Sequence, residues 1–176
     1  MSHNPVSPNP IHAWLRGPEA NIAPGLQPVA HALIQTLEEV TEFVEGFPDD
    51  KLWVRPFGLA SVGFHLKHIP GVVDRLFTYA RGEQLSDEQS TASRQESAEP
   101  ATPTTLGELL SALTARLERA LVELQSFDEA GLHEAIEIGR KKLPSTVQGA
   151  LFHAAEHSQR HTGQLLVTTR AVTADS

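Results

Sequence analysis

Apolar residues recur at steps of three and four in four separate stretches, the spacing that builds one buried face on a helix. The first stripe is Val29, Leu33, Leu37, Val40 and Val44. Pro28 suits an opening turn, where a missing N–H costs nothing, and Gly46-Phe47-Pro48 closes the pattern. The spacing predicts a helix over 27–46. The second stripe, Val62, Leu66, Ile69, Val73, Leu76 and Phe77, predicts a helix from about Ala60 to Arg81 with Ser61 as N-cap. Pro70 falls inside it, lacks an N–H and pushes against the carbonyl of Leu66, so a kink is expected at Pro70-Gly71. A helix that starts only at Pro70 is the alternative, but the apolar stripe continues across the proline.

The third stripe is Leu109, Leu113, Leu117, Leu121 and Leu124, with Thr105 as cap and Glu108 at the capping-box position, ending near Phe127. The fourth helix starts at Pro144 or Ser145 and runs to about Ala171, with Val147, Leu151, Ala154, Leu165 and Leu166 as apolar contacts. Between the second and third helices, Gly82 to Thr104 is polar and rich in Ser, Gln, Glu and Thr, and reads as a long exposed connection, mobile in part. Trp53 and Phe57 are the expected anchors of the 48–58 connection, and 133–138 is a candidate short extended segment before the basic turn at 139–142. Five prolines in 1–24 rule out a long helix there. That N-terminal arm is either loosely ordered or strapped to the body by Ile11, Trp14 and Leu15. The expected fold is all-α: a four-helix bundle over 25–173, with a long crossover connection between helices two and three.

Composition narrows the chemistry. The 176 residues suffice for one domain with a real core. No apolar run approaches the ~20 residues that span a bilayer, and Met1 to Pro10 has no signal-type hydrophobic segment, so no membrane and a cytoplasmic location are the expectations. A formal net charge of −8 without a basic run argues against nucleic acid as a partner. There is no cysteine, which removes disulfides, thiolate metal sites and a cysteine nucleophile together. Nine histidines remain.

His153, His157 and His161 repeat at steps of four on the fourth helix, and His65 and His68 lie on the second. Histidines four apart sit on one helix face and can close on one divalent ion such as zinc or nickel. His153 and His161 are about 12 Å apart along the axis, so one ion takes His153/His157 or His157/His161. The wheel does not choose between His65 and His68. Glu156, Ser158, Gln159 and Gln164 stand next to the pair as candidates to orient the imidazoles. A solvated histidine face is the bland alternative. His31 reads as a surface or core residue, and His3, His12 and His133 carry little weight.

Two motifs carry a resemblance. Ser61-Val62-Gly63-Phe64-His65-Leu66-Lys67-His68-Ile69 is similar to the second-helix pattern of the DinB/YfiT-like superfamily, where the ligand directly precedes Leu or Ile. Glu156-His157-Ser158-Gln159-Arg160-His161-Thr162-Gly163-Gln164 resembles that superfamily's last-helix pattern. The resemblance implies a four-helix bundle with a metal on His68, His157 and His161, leaving His65 and His153 as neighbours and candidate catalytic groups. It departs at Pro70-Gly71 and at Arg160, where the family often has a histidine. Members include transferases and isomerases that use bacillithiol, mycothiol or glutathione, so the resemblance implies a low-molecular-weight thiol co-substrate acting on a small-molecule substrate. Metal-dependent hydrolysis is the variant within the enzyme reading. The competing readings are a non-enzymatic metal-binding, stress-response module that forms a homodimer, and a bis-histidine haem bundle.

Overall fold

The structure, a computed structural model, describes residues 11–174. Met1 to Pro10, with His3 and the first part of the expected arm, lie outside the described residues. Five α-helices follow one another: α1 (Gln27–Phe43), α2 (Val62–Ala80), α3 (Asp87–Gln95), α4 (Leu106–Leu124) and α5 (Val147–Thr173). A two-stranded antiparallel hairpin, β1 (Ala135–Ile138) and β2 (Leu143–Thr146), lies between α4 and α5, with Ile136 opposite Ser145. The extended segment expected at 133–138 is its first strand, and the basic turn joins the two.

The four long helices pack around one core, α5 and α4 each touching both α1 and α2. Every stripe read from the sequence contributes to it: Leu33 and Val40 from α1, Leu66 and Phe77 from α2, Leu113 and Leu117 from α4, and Leu151 and Leu165 from α5. Side-chain caps set the starts. The Ser61 hydroxyl accepts the Phe64 N–H at 3.2 Å, and Thr105 with Glu108 forms a full capping box on α4. The cap of α5 is Thr146, not Pro144 or Ser145, because 143–146 is used as strand and the helix opens only beyond it. α2 runs from Val62 to Ala80 with Pro70 inside, so it does not begin at the proline, and both its histidines stand on the same helix as the apolar stripe.

Three expectations change. The 82–104 connection is not wholly irregular: Ser86 and Gln89 form a capping box that starts α3, and Gln89 Nε2 donates to Asp74 Oδ2 at 2.7 Å and Thr78 Oγ1 at 2.8 Å on α2. Of the arm's large apolar residues Ile22 reaches the core, but the three expected to strap it do not, and the contacts near them are made by small and charged groups. Ala13 is buried and its N–H donates to Gln35 Oε1 at 3.0 Å, while Arg16 makes a two-bond pair with Glu38; Ile11, Trp14 and Leu15 are exposed. Phe57 is no anchor. It has a positive φ of 53° in a tight turn, and its ring is 91% exposed.

Trp53 does anchor its connection, packed on the core directly against Gly63. A Cβ at Gly63 would lie 2.8–2.9 Å from three indole carbons, and a rigid ring in a packed core has little freedom to give way. Gly63→Ala is therefore expected to lower unfolding free energy by about 1–3 kcal/mol. Urea denaturation measures this, and an unchanged midpoint would show that the indole is free to move.

Candidate metal centre

α2 and α5 pack against each other along their histidine faces. His68 comes from α2 and His157 and His161 from α5, and one ligand atom from each lies within 4.8 Å of the other two. Nε2 of His68 is 2.9 Å from Nε2 of His157, and the His68 and His161 ring centres are 4.4 Å apart. All three residues are half-buried. Of the two α2 histidines, His68 is the one grouped with the α5 pair. His65 is fully buried beneath the triad, its Nδ1 3.1 Å from Nδ1 of His161, with no partner on Nε2.

His153 stands at the outer end of the α5 stripe, about half exposed, with Nδ1 3.2 Å from Glu156 Oε2. His153, Glu156 and His157 also bring three ligand atoms within 4.8 Å, but Arg160 pairs with Glu156 and puts a fixed positive charge beside that group. His31 serves the fold, with Nε2 2.9 Å from the Gly17 carbonyl.

The donor set suits a divalent transition metal because it consists of imidazoles, and the two from α5 are held neutral. Burial first, and His68 second, push His161 down to about 3 and hold His157 below its usual value. His65 is pushed down to about 4, again by burial and then by His68. A metal takes the unprotonated nitrogen, so these groups present lone pairs at neutral pH. The buried Nδ1 of His157, the nitrogen that does not face His68, has no hydrogen-bond partner. Phe64 covers the cluster, stacked on His68 at 4.9 Å and edge-on to His65 and His161. It also lines a cleft of about 160 Å³ with Arg55, Leu59, Ser61 and Ser97.

The supporting polar groups are not those expected from the α5 sequence. The Ser158 hydroxyl donates to the Ala154 carbonyl, and Gln159 donates to Ala32 O and Thr36 Oγ1 on α1. Gln164 is exposed. The group that reaches the triad is Glu96, immediately after α3, with Oε2 2.6 Å from Nδ1 of His68 and an ion pair to Arg75. Burial alone would raise its carboxyl, but hydrogen bonds from His68 and then Arg75 hold it below the ordinary carboxylate range. Two signals pointed there: a Ser86…Gln89 capping box inside a supposedly structureless stretch, and a glycine at position 71, one turn beyond His68.

The chain is thus a mostly helical protein in which three histidines that could hold one metal ion converge from the second and the last long helix. The profile of the DinB superfamily matches residues 32–165, and the chain belongs to that superfamily. Its fold is similar to the crystal structure of a conserved protein of Enterococcus faecalis, with a TM-score of 0.68 and 19% identity over 85% of this chain and 97% of that one. No curated protein matches the chain. Among the described residues, no helix is long and apolar enough to cross a membrane.

Proposed function

We propose that the protein is a divalent-metal-dependent enzyme, with zinc or nickel on His68, His157 and His161 and a small molecule as substrate. The observation that carries this reading is the convergence of three imidazoles from two helices on one point. On this reading α1, α2, α4 and α5 form a four-helix bundle, 82–104 is its crossover, and the protein works in the cytoplasm as a monomer or homodimer.

When bound to three protein ligands, such a metal supplies a Lewis acid that lowers the pKa of a water or thiol at its open positions. With no cysteine in the chain, a thiol nucleophile must arrive as a low-molecular-weight co-substrate. The chain's own part is to hold the imidazoles, to exclude water behind them and to position the substrate. Phe64 and the buried His65 pack against the triad, and the cleft that Phe64 lines with Arg55, Ser61 and Ser97 offers room and polar groups for a substrate. His65, sealed beneath His161, suits orientation of that ring. His153, open to solvent and next to the triad, suits proton transfer.

The test is elemental analysis of the untagged protein after exposure to Zn²⁺ or Ni²⁺ and removal of excess ion. About one equivalent retained supports the reading, and none retained rejects it. An assay for thiol transfer to small electrophiles then separates an enzyme from a metal-binding module. His153→Ala is expected to keep its full metal content while losing most of any turnover, about 100-fold or more. Loss of the metal would move His153 into the ligand set, and unchanged turnover would end its acid–base role.

A further inference from the structure

We propose that Glu96 is a positioning residue that fixes His68 for the metal, and that through it the connection between α2 and α4 is latched to the occupied site. This rests on the metal reading above. Across 82–104 every residue is exposed or half-exposed except Glu96, so the connection's one buried residue is a carboxylate. A lone carboxylate is a poor reason to bury a loop, since it loses hydration and brings little apolar area. Its partners supply the reason. Oε2 accepts from Nδ1 of His68, which leaves Nε2, the nitrogen facing His157, as the free one. A carboxylate on the far nitrogen fixes a ligand histidine's tautomer and ring angle and raises its basicity. Arg75, one turn further along α2, balances the charge.

The surrounding backbone is shaped to admit this group. Glycine at position 71 faces Glu96, and a Cβ there would run into the carboxylate and lie 3.0 Å from Arg75 Nη1. Pro70-Gly71, the point where the second-helix motif departs from its family, is thus the place where α2 is thinned to let the carboxylate in. Lys67 Nζ donates to the Gln95 carbonyl at 3.0 Å, and the Gln89 bonds to Asp74 and Thr78 fix the other end of α3. Residues 67 to 78 of α2 therefore hold α3 in the one register that delivers Glu96 to His68.

Two variants test the latch by different routes. Glu96→Gln keeps the side chain's size and an oxygen acceptor but removes the charge. Gly71→Ala leaves Glu96 in place chemically and displaces its flexible carboxylate end, while a glycine-to-alanine change favours the helix itself. Zn²⁺ affinity is read by competition with a chromophoric chelator, and amide exchange of 87–96 is followed with and without Zn²⁺. Both variants are expected to bind Zn²⁺ 10- to 100-fold more weakly than the wild type. Zn²⁺ is expected to slow exchange over 87–96 in the wild type and not in the variants. A purely structural Glu96 would alter stability equally with and without metal, so folded variants with wild-type affinity overturn the positioning role. Weaker binding without metal-dependent protection of 87–96 overturns the coupling. A wild type that takes up no Zn²⁺ overturns the metal reading and the latch with it, whereas a wild type that binds alongside unaffected variants overturns the latch alone.

Discussion

The double variant His157→Ala/His161→Ala is expected to fall from about one equivalent of bound Zn²⁺ or Ni²⁺ to none. Two of three ligands are removed at once, and His68 alone cannot offer a closed site. Folding should survive. Both side chains are only half-buried, alanine favours a helix, and neither imidazole belongs to the apolar core. The consequence for stability is therefore conditional on metal. In the wild type, metal at 100 times its dissociation constant should add about 2.7 kcal/mol to unfolding free energy, and the double variant should gain nothing. Thermal scans with and without Zn²⁺ make the comparison. Equal metal-induced shifts in both proteins would mean that the ion binds elsewhere, with His153 and Glu156 the first place to look.

How much of this was legible in the sequence follows from how each feature is encoded. The four apolar stripes were readable because burying one face of a helix leaves a period that survives in the chain, and the caps Ser61 and Thr105 are read one residue at a time. The α5 pair was readable because i, i+4 spacing is a local property. His65 and His68 could not be separated by spacing. They differ by about 60° around the helix, and only the approach of α5 decides that one points beneath the cluster and the other into it. Glu96 was hidden for a different reason. Its segment is polar throughout, and the pairing with His68 joins residues 28 apart, so no periodicity marks it. Phe57 misled because an aromatic in a loop is usually an anchor. Its backbone sits in the left-handed region, in a turn that directs the ring outward. Thr146 was passed over as a cap because the hairpin that precedes it is set by pairing rather than by local pattern.

Phe77→Ala is expected to be the most damaging single change in the core, lowering unfolding free energy by about 3–5 kcal/mol. The ring is fully buried and meets Phe127 edge-on at 6.4 Å. It also supports a charge: the Arg116 guanidinium lies 5.2 Å from the ring centre and is nearly buried. Arg116 is held by Asp74 at 3.2 Å and Glu123 at 3.1 Å, so the ring forms the apolar floor of an ion-pair network joining α2 to α4. Alanine opens a cavity and removes a cation–π contact of about 0.5–2 kcal/mol, and water entering the gap would loosen the network as well. Against a typical total of about 5–15 kcal/mol, that loss brings the fold close to its limit. Phe77→Leu, which refills most of the volume without the π face, should cost clearly less. Chemical denaturation of both variants separates the two contributions, and a loss below about 1 kcal/mol for alanine would show that α2 and α4 close over the gap.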